Sequence, residues 1–276
     1  MKELTLGYSP CPNDTFIFYA LTHGKVEVPG IKVAESLEDV ETLNRRALAS
    51  ELDLTKVSFH AFMFMREDYC LLRSGGALGR GCGPLLVARG NATMESLKGK
   101  KIAIPGRFTT AHLLLKLYGD GYENVLVMPF DQVMDAVQDG EADAGLVIHE
   151  GRFTYEGRGL KKVIDLGEWW ESETGLPIPL GCIIARRALG REVIAGVEAG
   201  IVESIEYAYM HRQETMSYIK AHAQELDDPV IESHIALYVN EYSLDLGRLG
   251  LKAVEELMSR AEARGIIPAS FNPLFL

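Results

Sequence analysis

Cysteine is scarce and scattered. Cys11, Cys70, Cys82 and Cys182 are the four in 276 residues, with no CxxC pair and no histidine at zinc-ligand spacing. A chain of this length with so few sulfurs is not a disulfide framework, and its thiols are expected to be reduced, as in a cytosol. Basic residues are also in deficit: 28 Lys and Arg stand against 39 Asp and Glu, a net charge of −11. Nucleic acid and anionic membranes both need a basic footprint, so neither is an expected partner. No run approaches the ~18 apolar residues of a membrane span. The opening MKELTLGYSP has neither the apolar stretch nor the small-residue cleavage site of a signal peptide. The expected location is therefore cytoplasmic. Several catalytic signatures are missing too: GxSxG, the Gly-Lys-Ser/Thr ending of a P-loop, a GxGxxG that opens a helix after the first strand, and HExxH. Their absence speaks against a serine hydrolase, a P-loop nucleotide site, a nicotinamide cofactor and a zinc protease. Asp and Glu are plentiful, but none cluster at metal spacing, so no metal is expected.

What is present is enough apolar residue, 47% against 24% charged, to bury one large core or two of ~130 residues each. The first two-thirds of the chain alternates short strand-like runs (4–7, 31–35, 52–57, Ile102–Ile104, 125–128, 144–148) with helical patterns (14–23, 40–49, Thr110–Tyr118, 132–138). Such alternation predicts βαβ units and mixed, mostly parallel sheets with helices on their faces. From Arg191 to about Arg264 the apolar residues fall at three- and four-residue spacing, for example Ile194, Val197, Ile201 and Ile205, which predicts a helical C-terminal region.

Two segments look like joints. Residues 74–84 read SGGALGRGCGP and residues 176–182 read LPIPLGC. Glycine eases bending and proline limits it, which suits a two-strand crossover between lobes. The resulting architecture is a discontinuous lobe of residues 1–84 and 182–276 with an inserted lobe of residues 85–181. The cleft between them is the expected ligand site. Cys82 and Cys182, one in each crossover, are expected to be neighbouring, buried, free thiols.

In parallel sheets, ligands bind outside the carboxyl ends of strands, facing helix N-termini. Four segments qualify. After the first strand comes Ser9-Pro10-Cys11-Pro12-Asn13-Asp14, either a rigid turn in which Asn13 or Asp14 caps the next helix, or a loop holding those residues at the cleft. The following FIFYAL is apolar on every side, so that helix should be buried. Lys56-Val57-Ser58 ends the third strand. Lys56 either meets a carboxylate or phosphate or points to water, and Ser58 either joins it or caps the next helix. Gly106 to Ala111 lead from KIAIP into a helix whose free first-turn N–H groups form an anion pocket or simply follow a threonine cap. Finally, ADAGLVIH ends on His149, the first polar residue of a central strand and, of seven histidines, the one best placed for catalysis. His211, His222 and His234 are expected to be solvated on the helical tail.

These residues also carry a resemblance. The stretches GYSPCPNDTFIFYAL, EDVETLNRRAL, LTKVSFHA, LRSGGALGRGCGPLLVARG, IAIPGRFTTAHLLL, GLVIHEGRFTY, DLGEWWESETGLPIPLG and YVNEYSLDLG resemble the 1,4-dihydroxy-6-naphthoate synthases of the futalosine route to menaquinone, over nearly the whole chain. The resemblance implies an α/β, two-lobed fold of the type 2 periplasmic-binding-protein kind with two crossover strands. It implies a cofactor-free conversion of cyclic dehypoxanthinyl futalosine to 1,4-dihydroxy-6-naphthoate with release of a sugar-derived fragment. It also implies that His149 is the proton acceptor and that Lys56, Val57, Ser58, Thr110 and Ala111 contact a small carboxylate substrate. Asn13, Asp14 and Asn44 complete the candidate contacts, while the sequence leaves open whether they, Arg80 or Arg152 reach the ligand. Phe108, between Arg107 and Thr109, departs from the family pattern at the cleft rim. An imidazole of ordinary pKa, ~6.5, would make activity fall once the pH drops below that value. The rival readings are a solute-binding protein for a small carboxylate and a chorismate dehydratase of the same pathway.

Overall fold

The alternation in the sequence becomes two separate sheets in the computed structural model, which describes residues 1–223 and 227–276. The first part of the chain contributes β1 (Lys2–Tyr8), α1 (Pro12–Thr22), β2 (Ile31–Leu37), α2 (Val40–Leu48), β3 (Leu54–Ser58), α3 (Phe59–Phe62), β4 (Tyr69–Leu71) and β5 (Ala77–Gly79). The middle contributes β6 (Leu85–Ala88), β7 (Ile102–Ile104), α4 (Thr110–Tyr118), β8 (Val125–Val127), α5 (Val133–Gln138), β9 (Ala144–Val147), α6 (Gly151–Thr154), β10 (Lys161–Asp165) and α7 (Leu166–Thr174). The chain then returns through β11 (Ile178–Arg186) and ends in α8 (Arg191–Met210), α9 (Arg212–His222), α10 (Asp228–Tyr238), α11 (Glu241–Leu244) and α12 (Gly247–Ala263).

The first sheet has the order β2-β1-β3-β11-β4, with β5 also on β11; the second has the order β10-β6-β9-β7-β8. Both are mixed. Parallel pairs join β1 to β2 and β3, and β7 to β8 and β9. Antiparallel pairs surround β11 and β6, more of them than the alternation alone suggested. The reason is the crossover. The passage out of the first sheet (β5) and the passage back (start of β11) run beside each other, with Gly79 opposite Ile178. A chain returning along its own exit path must run antiparallel to it.

Strand β9 is central and fully buried, as its unbroken apolar run predicts. Helix α1 is buried from Pro12 to Leu21. Its stretch from Phe16 to Leu21 has no polar face because the helix packs against α8, α9 and α10, and Ser204 of α8 reaches it by donating to the Ile17 carbonyl at 2.6 Å. Each fully buried Phe or Ile there contributes ~1.5–3 kcal/mol of apolar burial. The C-terminal stretch is helical as expected, although residues 224–226 of that reading lie outside the described residues. No helix among the described residues is long and apolar enough to cross a membrane.

Two glycines meet backbone to backbone where the crossover touches α7. A Cβ on Gly83 would lie 2.3 Å from the Cα and N of Gly167, and one on Gly167 would lie 2.6 Å from the Cα of Gly83. Neither neighbour is a flexible side chain that can swing aside. Gly83→Ala is therefore expected to destabilise by at least ~1–3 kcal/mol, the cost of overpacking, measured as a lower urea midpoint at unchanged m-value. An unchanged midpoint would show that the crossover and the start of α7 separate freely.

Candidate active site

All four strand-edge segments converge on one cavity. It is lined by Ser9, Asn13 and Asp14 after β1, Lys56 to Ser58 at the end of β3, Thr109 to Ala111 at the start of α4, and Ile148 and His149 after β9. Leu180 and Gly181 of β11 and Tyr238 of α10 complete an apolar side. One wall is thus polar and built from strand ends, and the other suits a flat hydrocarbon.

The polar wall is internally bonded. The Lys56 ammonium lies 3.0 Å from Asp14 Oδ1 and donates to the Gly75 carbonyl at 3.0 Å. That uses two of its three N–H donors. Lys56 is 5% exposed, so it does not point to water. Asp14 also accepts from the Ser9 hydroxyl at 2.8 Å and from Asn13 Nδ2 at 2.8 Å. Neither Asn13 nor Asp14 caps α1: the N-cap position is Cys11, whose side chain makes no capping bond, and Pro12 opens the first turn. Proline at that position needs no N–H partner and already has helical φ, so the helix starts earlier than the sequence pattern suggested.

Ser58 occupies the N-cap position of α3 without a side-chain cap bond. It is held instead by Asn44, whose Oδ1 accepts from the Ser58 amide at 2.9 Å and whose Nδ2 lies 3.3 Å from the Ser58 hydroxyl. Asn44 is fully buried behind Ser58 and is not part of the cavity wall. Thr109 caps α4, accepting from the His112 amide at 3.3 Å. The Thr110 hydroxyl donates to the Leu180 carbonyl at 2.6 Å, so this helix start is tied to β11. The amides of Thr110 and Ala111 belong to the first helical turn, where no intrahelical acceptor exists. Arg80 and Arg152 lie outside the cavity wall and engage Glu171 and Asp165. Phe108 packs with Phe64 and His60, away from the cavity. Cys82 and Cys182 are buried and free.

His149 has φ +54, a left-handed backbone that non-glycine residues seldom adopt. Among the described residues its ring nitrogens have no hydrogen-bond partner. The ring sits 5.1 Å from that of Phe130 and, nearly parallel, 6.1 Å from that of His234. Desolvation lowers its pKa to about 4, against a smaller opposing pull from Asp14. It is a neutral imidazole at physiological pH.

His234 corrects the sequence reading. It is not solvated but wholly buried, and its Nε2 lies 2.9 Å from Asn13 Oδ1. Asn13 Nδ2 is committed to Asp14, so Oδ1 faces His234 and Nε2 carries the proton. Nδ1 is then a buried acceptor without a partner among the described residues, and burial holds the ring neutral. A signal was available: His234 shares the inward stripe of α10 with Ile231, Ile235 and Tyr238. A second residue missed by sequence reading is Glu41. Its carboxylate accepts from the Arg107 amide at 3.0 Å and the Phe108 amide at 3.2 Å, joining α2 to the loop before α4.

The sequence of residues 4–263 matches the family model described as menaquinone biosynthesis. The chain belongs to that family. Over 276 residues, all of both chains, it is 53% identical to a protein of Thermus thermophilus named 1,4-dihydroxy-6-naphthoate synthase. A Streptomyces coelicolor protein of the same name is 46% identical over 272 residues, 96% of this chain and 95% of that one. Among solved structures, one from Archaeoglobus fulgidus superposes with a TM-score of 0.91 at 40% identity, covering 96% of this chain and 98% of its own. An alkanesulfonate-binding protein of Xanthomonas axonopodis superposes with a TM-score of 0.75 at 15% identity, covering 98% and 95%. The fold is that of the type 2 periplasmic binding proteins.

Proposed function

We propose that the chain is a cytoplasmic, cofactor-free lyase that converts cyclic dehypoxanthinyl futalosine to 1,4-dihydroxy-6-naphthoate and releases a sugar-derived fragment. The observation that carries the reading is a neutral imidazole, His149, with no hydrogen-bond partner among the described residues, in the same cavity as the first-turn amides of α4. The family and its named relatives support the pathway and the reaction. The substrate's oxygens rest on the amides of Thr110 and Ala111 and the Ser58 hydroxyl, and the remaining Lys56 N–H holds the other end. The bicyclic part lies along Leu180, Val57 and Tyr238. His149 takes a proton beside a carbonyl of the opened sugar, the carbon–carbon bond to the fragment breaks, and aromatisation draws the reaction forward. A positioned base is worth ~10²–10⁴-fold. Residues 1–84 with 182–276, and 85–181, are the lobes that close to exclude water.

The test is incubation of the pure protein with cyclic dehypoxanthinyl futalosine and, separately, with chorismate. Naphthoate absorbance arising only from the first supports the synthase. Turnover of chorismate would replace it with the dehydratase, and tight carboxylate binding without turnover with a solute-binding role.

The pH dependence expected of the free enzyme differs from that of a solvated histidine. The base works when neutral, and its pKa lies at about 4. Log(kcat/KM) should therefore stay level from pH 7 to about 5 and fall only as the pH approaches 4. Stability starts to decline earlier, from pH ~6.5 downward. His60, lowered to about 3, along with His149 and His234, is kept neutral by burial, so the unfolded chain binds more protons below pH ~6.5. Rates are to be read on protein whose circular dichroism is unchanged. An inflection near pH ~6.5 would mean that His149 is solvated in the working enzyme.

A further inference from the structure

We propose that Cys11, His149 and Glu150 form an inhibitory site for a thiophilic divalent cation of the zinc class. One ligand atom from each, a thiol sulfur, a ring nitrogen and a carboxylate oxygen, all lie within 4.8 Å of one another. Cys11 comes from the turn after β1 in the first sheet, whereas His149 and Glu150 come from the turn after β9 in the second. Sequence spacing could not reveal this set, because its members are far apart in the chain. Sulfur, imidazole and carboxylate together favour Zn²⁺ or Co²⁺ over Mg²⁺ or Ca²⁺, which prefer oxygen alone. Ligand bonds of ~2.0–2.3 Å place tetrahedral ligands about 3.4–3.6 Å apart. Each pair then has to close by at most about 1.4 Å, within reach of side-chain rotation.

Two features add to the geometry. The His149 ring nitrogens have no competing hydrogen bond among the described residues, so a lone pair is available. Cys11 and Glu150 are 3% and 7% exposed, so an ion bound there is screened from water except on the cavity side. On binding, the Cys11 thiol loses its proton to solvent and the thiolate, imidazole and carboxylate occupy three positions, leaving the fourth for water. The ion occupies the lone pair with which His149 would take a substrate proton. It also bridges the strand ends of both sheets. The inhibitory half rests on the base role proposed above; the binding half does not.

The probe is Co²⁺ added to the whole purified chain, followed by Zn²⁺ inhibition of turnover. We expect one Co²⁺ per chain with a near-ultraviolet thiolate-to-cobalt band. Zn²⁺ should cut turnover at least ~10-fold at saturation, with recovery on adding a chelator and no effect of Mg²⁺. Cys11→Ala should lose the band, become resistant to Zn²⁺ and keep its metal-free turnover. Glu150→Gln should weaken Co²⁺ binding at least ~10-fold, as loss of a supporting residue already does, and it keeps the site testable if Cys11→Ala folds poorly. Absence of the band in the unmodified protein, or a band that survives in Cys11→Ala, overturns the site. A Cys11-dependent band without inhibition keeps the cation site and overturns the base role of His149 instead.

Discussion

His149→Asn should lower kcat at least ~100-fold while substrate affinity changes less than about threefold, because the substitution removes a proton acceptor that contributes ~10²–10⁴-fold. Asparagine is the informative replacement. Position 149 has φ +54, and among non-glycine residues asparagine is one of those that accept a left-handed backbone most readily. Alanine or glutamine there would strain the turn between β9 and α6 and confuse a lost base with a moved loop. Asn also removes an imidazole held neutral by burial, so the fold should be no less stable in mild acid than before. The measurements are turnover, substrate affinity by calorimetry, and melting temperature. Turnover within tenfold of the parent at unchanged affinity would remove His149 from the reaction.

The second large effect concerns Lys56 and Asp14. The pair is 3.0 Å apart, with side chains 6% and 3% exposed. Lys56→Met leaves the Asp14 carboxylate buried with only Ser9 and Asn13 as donors. Asp14→Asn leaves the ammonium beside the Gly75 carbonyl alone. Removing one member of a buried pair costs ~3–5 kcal/mol, since the other charge stays desolvated. For a chain of this size that corresponds to a melting temperature lower by roughly 6–20 °C. The double variant should lose less than the sum of the singles, because it strands no charge. Losses under ~1 kcal/mol in both singles would mean that water reaches the pair and the cavity wall is open.

The same two residues show how far local pattern carries. Lys56 and Ser58 sit where the strand-end argument placed them, on the cavity, and so do Asn13, Asp14, Thr110, Ala111 and His149. Their partners were not legible. Nothing in TKVS says that its lysine is neutralised by an aspartate after β1, or that its serine is braced by Asn44 rather than capping α3. Asn44 is a candidate contact in the sequence; its place on the buried face of α2 makes it the support of Ser58. The sequence places His234 on the helical tail, where solvent is the expectation. Burial of that helix face against α1, joined by the bond to Asn13 221 positions away, decides otherwise.

From its own residues the chain determined the alternation of strands and helices, the glycine-rich crossing, the apolar FIFYAL stretch of α1, the buried β9 and the short set of polar residues at strand ends. These follow from side-chain period and backbone freedom, which act between near neighbours. Tertiary structure alone decided which strand ends share a cavity, that β11 runs antiparallel beside the exit path, and that His149 titrates near 4 rather than ~6.5. Desolvation and charge pairing depend on everything packed around a group, and most of what surrounds His149 comes from distant parts of the chain.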